Sequence, residues 1–257
     1  MDSPSPVKDS RPGRPLADPG PFLDRIQQAA RRAGWRSERF GEAAGFPLVA
    51  LTRRSPGPRP RIYLSAGIHG DEPAGPLAIL GLLESGALDG RATWFLCPIL
   101  NPGGFVRGTR ENPSGIDLNR DYRNPRSPEI RSHLAWLGRQ PGFDLTLCLH
   151  EDWESKGCYV YERNPSGRPS LAGRILEAAS PFCPRDTDPV IDGWEAEQGV
   201  IRPPGDPFGR ELWPETIFLS SGHTKLAYTF ETPSGLPIDR RIEAHRAAAN
   251  AAFLGMF

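Results

Sequence analysis

The sequence predicts an α/β fold: a central mixed, mainly parallel β-sheet flanked by helices on both faces. Two observations carry this. Short apolar runs of strand length alternate with segments of helical periodicity, the pattern of strands joined through helical crossovers. The polar residues best suited to chemistry follow directly on those runs, where ligands collect in such sheets. A chain of 257 residues with 38% hydrophobic and 24% charged content is ordinary for a globular protein.

Met1 to Pro21 is rich in Pro, Ser, Asp and Arg, has no apolar core and does not read as a secretory signal. Residues 1–20 are expected to be disordered and 21–257 to form a single domain. Phe22 to Arg32 carries Phe22, Ile26 and Ala29 or Ala30 on one helical face. Phe46 to Leu51 and Arg61 to Ala66 read as strands. Pro73 to Ser85 reads as a helix with proline at its start, where a missing N–H costs little. Ala92 to Ile99 is strand-like. Ser127 to Arg139 is predicted helical, with Ser127 as N-cap and Pro128 at the first position. Phe143 to Leu149, Cys158 to Tyr161 and Leu226 to Phe230 read as strands, and Ile238 to Phe253 as a closing helix. Asn101 to Arg126 and Pro184 to Trp213 resist assignment. Loops that long are usually functional or mobile. No internal repeat or heptad pattern is found.

The formal net charge is zero, so nothing points to nucleic acid or an anionic membrane as partner. No window has the apolar length to cross a bilayer, and a cytoplasmic location is expected. The four cysteines, Cys97, Cys148, Cys158 and Cys183, read as free and buried, and no Cys-x-x-Cys pair suggests a zinc knuckle.

His69-Gly70-Asp71-Glu72 follows the run Ile62 to Ile68. A histidine and a glutamate three residues apart at a strand mouth can face one divalent metal, although His-x-x-Glu alone is a weak pattern. It has companions. His150 follows Phe143 to Leu149, Glu231 closes Leu226 to Phe230, and Gly115-Ile116-Asp117-Leu118-Asn119-Arg120 lies in the first long loop. His69, Glu72 and His150 would offer two nitrogens and one carboxylate, a catalytic zinc set with one position left for water. Glu231, flanked by an apolar strand, would be the general base.

This pattern resembles the zinc carboxypeptidases of the carboxypeptidase A superfamily. Its carriers are His69-x-x-Glu72, Asn101-Pro102-x-Gly104, Arg110-x-Asn112-x-x-Gly115 running on to Arg120, then His150 and Thr229-Phe230-Glu231, across roughly residues 60 to 235. The resemblance implies a carboxypeptidase-like fold of the zinc exopeptidase type and one Zn2+ per chain. It implies a hydrolase that removes C-terminal amino acids from peptides, so residues 21–257 would be the catalytic domain. Asp117 would orient His69 through a hydrogen bond. Asn119 and Arg120 would clamp the substrate's terminal carboxylate. Arg110 would face the oxyanion, with Arg107 as the competing choice. A cis peptide between Glu151 and Asp152 is a further expectation from the family. Glu151 and Asp152 could also contact ligands or basic substrate groups, and His223 could line the pocket; His133 and His245 read as structural or surface residues.

The sequence departs from the digestive members. Pro204 to Trp213, where a mobile substrate-capping tyrosine would stand, contains none, and the stretch before His69 suggests no zymogen segment. The nearest alternative is the aspartoacylase and succinylglutamate desuccinylase branch, which shares the zinc site but cuts N-acyl amino acids. The short stretch after Glu231 favours the carboxypeptidase branch over one with a further β-rich domain. A non-catalytic binding protein on the same scaffold is an alternative of another class. The expected partner is a peptide or N-acyl amino acid substrate, with oligomeric state left open.

Overall fold

A computed structural model describes residues 19–257. All but the last two residues of the segment expected to be disordered lie outside that range, and those two, Pro19 and Gly20, begin the first helix. In chain order the elements are α1 (Pro19–Arg32), β1 (Arg36–Ala43), β2 (Phe46–Arg53), β3 (Arg61–Ala66), α2 (Ala74–Glu84), β4 (Thr93–Cys97), α3 (Pro102–Arg107), α4 (Pro128–Leu137), β5 (Leu145–Asp152), β6 (Tyr159–Arg163), α5 (Ala172–Ala179), β7 (Val190–Ile191), β8 (Trp194–Glu197), β9 (Val200–Ile201), α6 (Glu215–Gly222), β10 (Ala227–Pro233) and α7 (Ile238–Leu254).

The strands form one ten-stranded sheet in the order β1-β2-β4-β3-β5-β10-β6-β9-β8-β7. Its centre, β4-β3-β5-β10, is parallel, while β2 and β6 flank it antiparallel. The period of two along each strand divides the core. Ile62, Leu64, Leu147, Leu149, Tyr228 and Phe230 pack with residues of α1, α2, α5 and α7. Tyr63, Phe95, Cys97 and Cys148 pack with Ile130, Trp136 and Leu219 of α4 and α6. All eight residues of β5 are buried, as expected for a strand covered on both faces.

The predicted helices and central strands stand where expected within a few residues. Ser127 caps α4, its hydroxyl accepting from the Ile130 N–H at 3.2 Å. The edge is richer than predicted. β1 and β2 form a hairpin closed by Ala44 and Gly45, both at positive φ. The Pro184–Trp213 stretch is not a plain loop: it holds β7, β8 and β9, with the turn at Asp192 and Gly193. An Asp-Gly pair between Ile191 and Trp194 was a hairpin signal in the sequence. The cis bond is not found: among the described residues no peptide is cis. β5 simply continues through this dipeptide, with Glu151 paired to Thr232 and Asp152 to Pro233 of β10.

Candidate active site

The polypeptide leaves β3 at Ala66, and the turn that carries His69 and Glu72 requires glycine at position 70. A Cβ there would lie 1.9 Å from the Gly104 carbonyl carbon. Gly104 is confined in turn by Asn101, whose side chain caps α3 by accepting from the Gly104 N–H at 2.8 Å and donates to the Arg110 carbonyl at 3.2 Å. The Gly70 N–H donates to the Thr109 carbonyl at 2.9 Å. The Asn101-Pro102-x-Gly104 motif thus seats the His-x-x-Glu turn against the segment carrying Arg110. Asn112 shapes the next turn by accepting from the Ser114 and Ile116 N–H groups, both at 3.0 Å, and is anchored on buried Glu129.

His69, Glu72 and His150 converge. They are 2%, 5% and 4% exposed. One ligand atom from each lies within 4.8 Å of the others. His69 Nδ1 stands 2.5 Å from Glu72 Oε1, and His150 Nδ1 stands 2.9 Å from Glu72 Oε2. Burial alone would push the Glu72 carboxyl up, but the two imidazoles outweigh it and hold it well below its ordinary value. Two imidazole nitrogens and one ionised carboxylate fit a divalent transition metal.

Asp117 joins three parts of the site. Its Oδ1 lies 3.2 Å from His69 Nε2 and accepts from the Asn119 N–H at 2.9 Å; its Oδ2 accepts from Arg110 Nε at 3.0 Å. Its burial would raise its pKa, but the His69 bond and charge, with Arg110, lower it strongly. Carboxylate contact at Nε2 leaves Nδ1 as the metal-facing nitrogen. Arg110 reaches into the cluster, with Nη1 3.3 Å from His69 Nδ1 and 3.8 Å from Glu72 Oε1. Arg107 instead points to the Pro113 carbonyl on an exposed surface. Geometry therefore separates the two arginines the sequence left open.

Glu231 lies on β10 in register with His150 of β5. Paired positions share a sheet face, so its side chain faces the metal cluster's side. Burial pushes its carboxyl up to about 8, opposed by His150 and reinforced by Glu72 and Asp152. Asn119 is 9% exposed, and its Oδ1 accepts from the Glu215 N–H at 2.9 Å. Arg120 is exposed at the rim and folds back onto the Asn119 carbonyl at 2.9 Å.

Other candidates lie elsewhere. Glu151 turns from the site, accepting from the Ala74 N–H at the start of α2 and from Arg241 of α7. Asp152 accepts from Tyr159 Oη at 2.9 Å. His223 does not line the site: its carbonyl accepts from the Phe143 N–H, at the opposite end of β5 from His150. His133 and His245 are fully buried. The residue that sequence reasoning missed is Glu215, buried at 1% exposure beneath the site. Nothing in its local sequence distinguishes it from a surface glutamate.

The fold is carboxypeptidase-like, and its buried His-Glu-His cluster is a candidate metal site. A Shewanella amazonensis protein solved as a candidate metallopeptidase is 30% identical, with 93% of each chain covered and a TM-score of 0.80. The chain belongs to the same carboxypeptidase-like family. A metallo-carboxypeptidase from Burkholderia cenocepacia shares the fold at 20% identity, covering 92% of this chain and 68% of that one, with a TM-score of 0.69. The sequence profile of the succinylglutamate desuccinylase/aspartoacylase catalytic domain matches residues 58–179. Among curated proteins, carboxypeptidase SOL1 of Arabidopsis thaliana is 31% identical over 132 residues, 41% of this chain. That match spans about a quarter, 26%, of the curated relative's length.

Proposed function

We propose that this protein is a zinc-dependent carboxypeptidase. The observation that carries the reading is the buried His69–Glu72–His150 triad, with Arg110 inside it and Glu231 in register with His150. Zinc, when bound, supplies a Lewis acid and lowers the pKa of water towards ~7. The chain supplies the rest. Asp117 fixes the His69 tautomer. Glu231 takes a proton from the attacking water and delivers it to the leaving amine. Arg110 donates to the developing oxyanion. Asn119, through its NH2 group, and Arg120 bind the substrate's free carboxylate.

A second reading is favoured by one observation, the profile match over residues 58–179: a deacylase of N-acyl amino acids. Both substrates carry a free carboxylate and differ in what is cut from it. The test compares matched free-acid and amidated peptides, with N-acetyl-aspartate and N-succinyl-glutamate alongside, on zinc-loaded protein. A carboxypeptidase shortens free-acid peptides one residue at a time and disfavours amides by ~2–4 kcal/mol in transition-state binding, since an amide cannot pair the guanidinium. Equal cleavage of acid and amide would end this reading. Cleavage of N-acyl amino acids alone would establish the second.

A further inference from the structure

One buried carboxylate has no part in the reaction above, yet it touches the site. Glu215 opens α6, and both its oxygens accept hydrogen bonds from β3: Tyr63 Oη at 2.6 Å and Ser65 Oγ at 2.9 Å. Its own backbone N–H donates to Asn119 Oδ1 at 2.9 Å. We propose that Glu215 is a positioning residue for substrate carboxylate binding, holding Asn119 with its NH2 end turned to the substrate. The inference rests on the reading of Asn119 as a carboxylate ligand.

An asparagine amide has an acceptor end and a donor end, and only the donor end serves a carboxylate. Which end faces outward depends on what holds the other. The Glu215 N–H belongs to the first turn of α6, where N–H groups lack intrahelical partners, and the N-cap Pro214 has no side-chain oxygen to satisfy them. Asn119 Oδ1 fills that need, which commits its acceptor end inward. The first turn of α6 is held in turn by the Glu215 side chain, clamped to the strand whose continuation carries His69 and Glu72. Tyr63 extends the tie: its hydroxyl lies 3.0 Å from His133 Nε2, and His133 Nδ1 lies 2.8 Å from Tyr122 Oη. Tyr122 is two residues beyond Arg120. The loop bearing Asn119 and Arg120 is thereby fixed to the metal-bearing strand from both ends. Packing alone does not call for a carboxylate here, since an apolar residue of similar volume fills a core position without desolvating a charge.

The test uses the zinc-loaded full chain and the variants Glu215→Gln, Tyr63→Phe, Asn119→Ala and the Glu215→Gln/Asn119→Ala double. Glu215→Gln is expected to raise KM for a free-carboxylate substrate about tenfold while kcat falls less than about threefold, the mark of lost ground-state binding. Zinc content stays at the wild-type level. In the Asn119→Ala background the same change should have no further effect on KM, since the two act as one unit. Tyr63→Phe, a milder change, should move KM in the same direction and serves if Glu215→Gln fails to fold. Unchanged KM in both single variants, or KM effects that add in the double, would overturn the proposal. Calorimetric binding of N-acetyl-aspartate and of free amino acids needs no turnover and separates the two levels. Carboxylate binding by wild type that Glu215→Gln leaves unaltered sinks the positioning role alone. No carboxylate binding by wild type, at millimolar ligand, ends the Asn119 reading and the positioning role together.

Discussion

Glu231 pairs in register with His150, and Glu72 and Glu231 are shifted in opposite directions. Glu72 lies between two imidazoles and stays ionised; Glu231 is pushed up to about 8 by burial. Carboxylates whose surroundings drive their pKa values apart are suited to different roles, here the proposed ligand and the proposed proton carrier. Glu231→Gln should therefore cut turnover by ~10²–10⁴-fold while leaving zinc content and zinc-dependent thermal stabilisation unchanged. His150→Ala should lose both metal and activity. Metal analysis beside kinetics distinguishes them, and near-wild-type turnover in Glu231→Gln would remove the base assignment. These residues were legible in the sequence because each sits at the end of an apolar run. Glu215 was not, because its importance comes from partners some 150 positions away on β3.

At the scale of elements, the site is a junction of strand ends with one tightly packed turn. Gly70 lies so close to Gly104 that it tolerates no side chain, and Gly104 is itself confined by Asn101 and the Glu111 carbonyl. Gly70→Ala should cost at least ~2 kcal/mol, the overpacking range, and should weaken metal binding because His69 and Glu72 flank the displaced residue. Denaturant unfolding with and without zinc measures both effects. Stability within ~0.5 kcal/mol of wild type would mean the turn can relax, contrary to this packing. The central strands and long helices were readable because continuous apolar runs and 3.6-residue periodicity are local signals. The short strands β7, β8 and β9 and the exposed strand β1 carry almost no periodic pattern, being two to four residues long or an edge strand of mixed polarity, and only the Asp192-Gly193 turn between β7 and β8 left a local signal. The placement of Glu151 shows another limit. Adjacent to His150, it faces the opposite side of the sheet and stabilises the start of α2 beside Arg241, because side chains alternate along a strand.

Across the whole molecule, stability depends on histidines kept neutral. His133 and His245 are fully buried, and burial lowers each to about 3. Tyr63 donates to Glu215, so its oxygen is left to accept from His133 Nε2–H while Tyr122 donates to Nδ1; a second proton on that ring would break the arrangement. The unfolded chain protonates histidine near 6.5, so below that pH it binds more protons than the folded one. Stability present above ~6.5 is lost as pH falls towards ~3, about 2 kcal/mol per histidine by pH 5. Glu151 and Glu231, pushed up to about 7 and 8, act with the opposite sign, so the clean readout is a difference. The stability gap between wild type and His245→Gln should narrow by about 2 kcal/mol from pH 7 to pH 5. A gap independent of pH would show that His245 titrates normally. The sequence by itself determined the α/β class, and it carries the proposed ligands, the proposed base and the loop with Asp117, Asn119 and Arg120 as local runs or motifs. Tertiary structure alone decided which arginine enters the cluster, that His223 lies at the far end of β5, and that Glu215 anchors Asn119. Those outcomes depend on which distant segments a β-strand's end meets, and no local pattern encodes that.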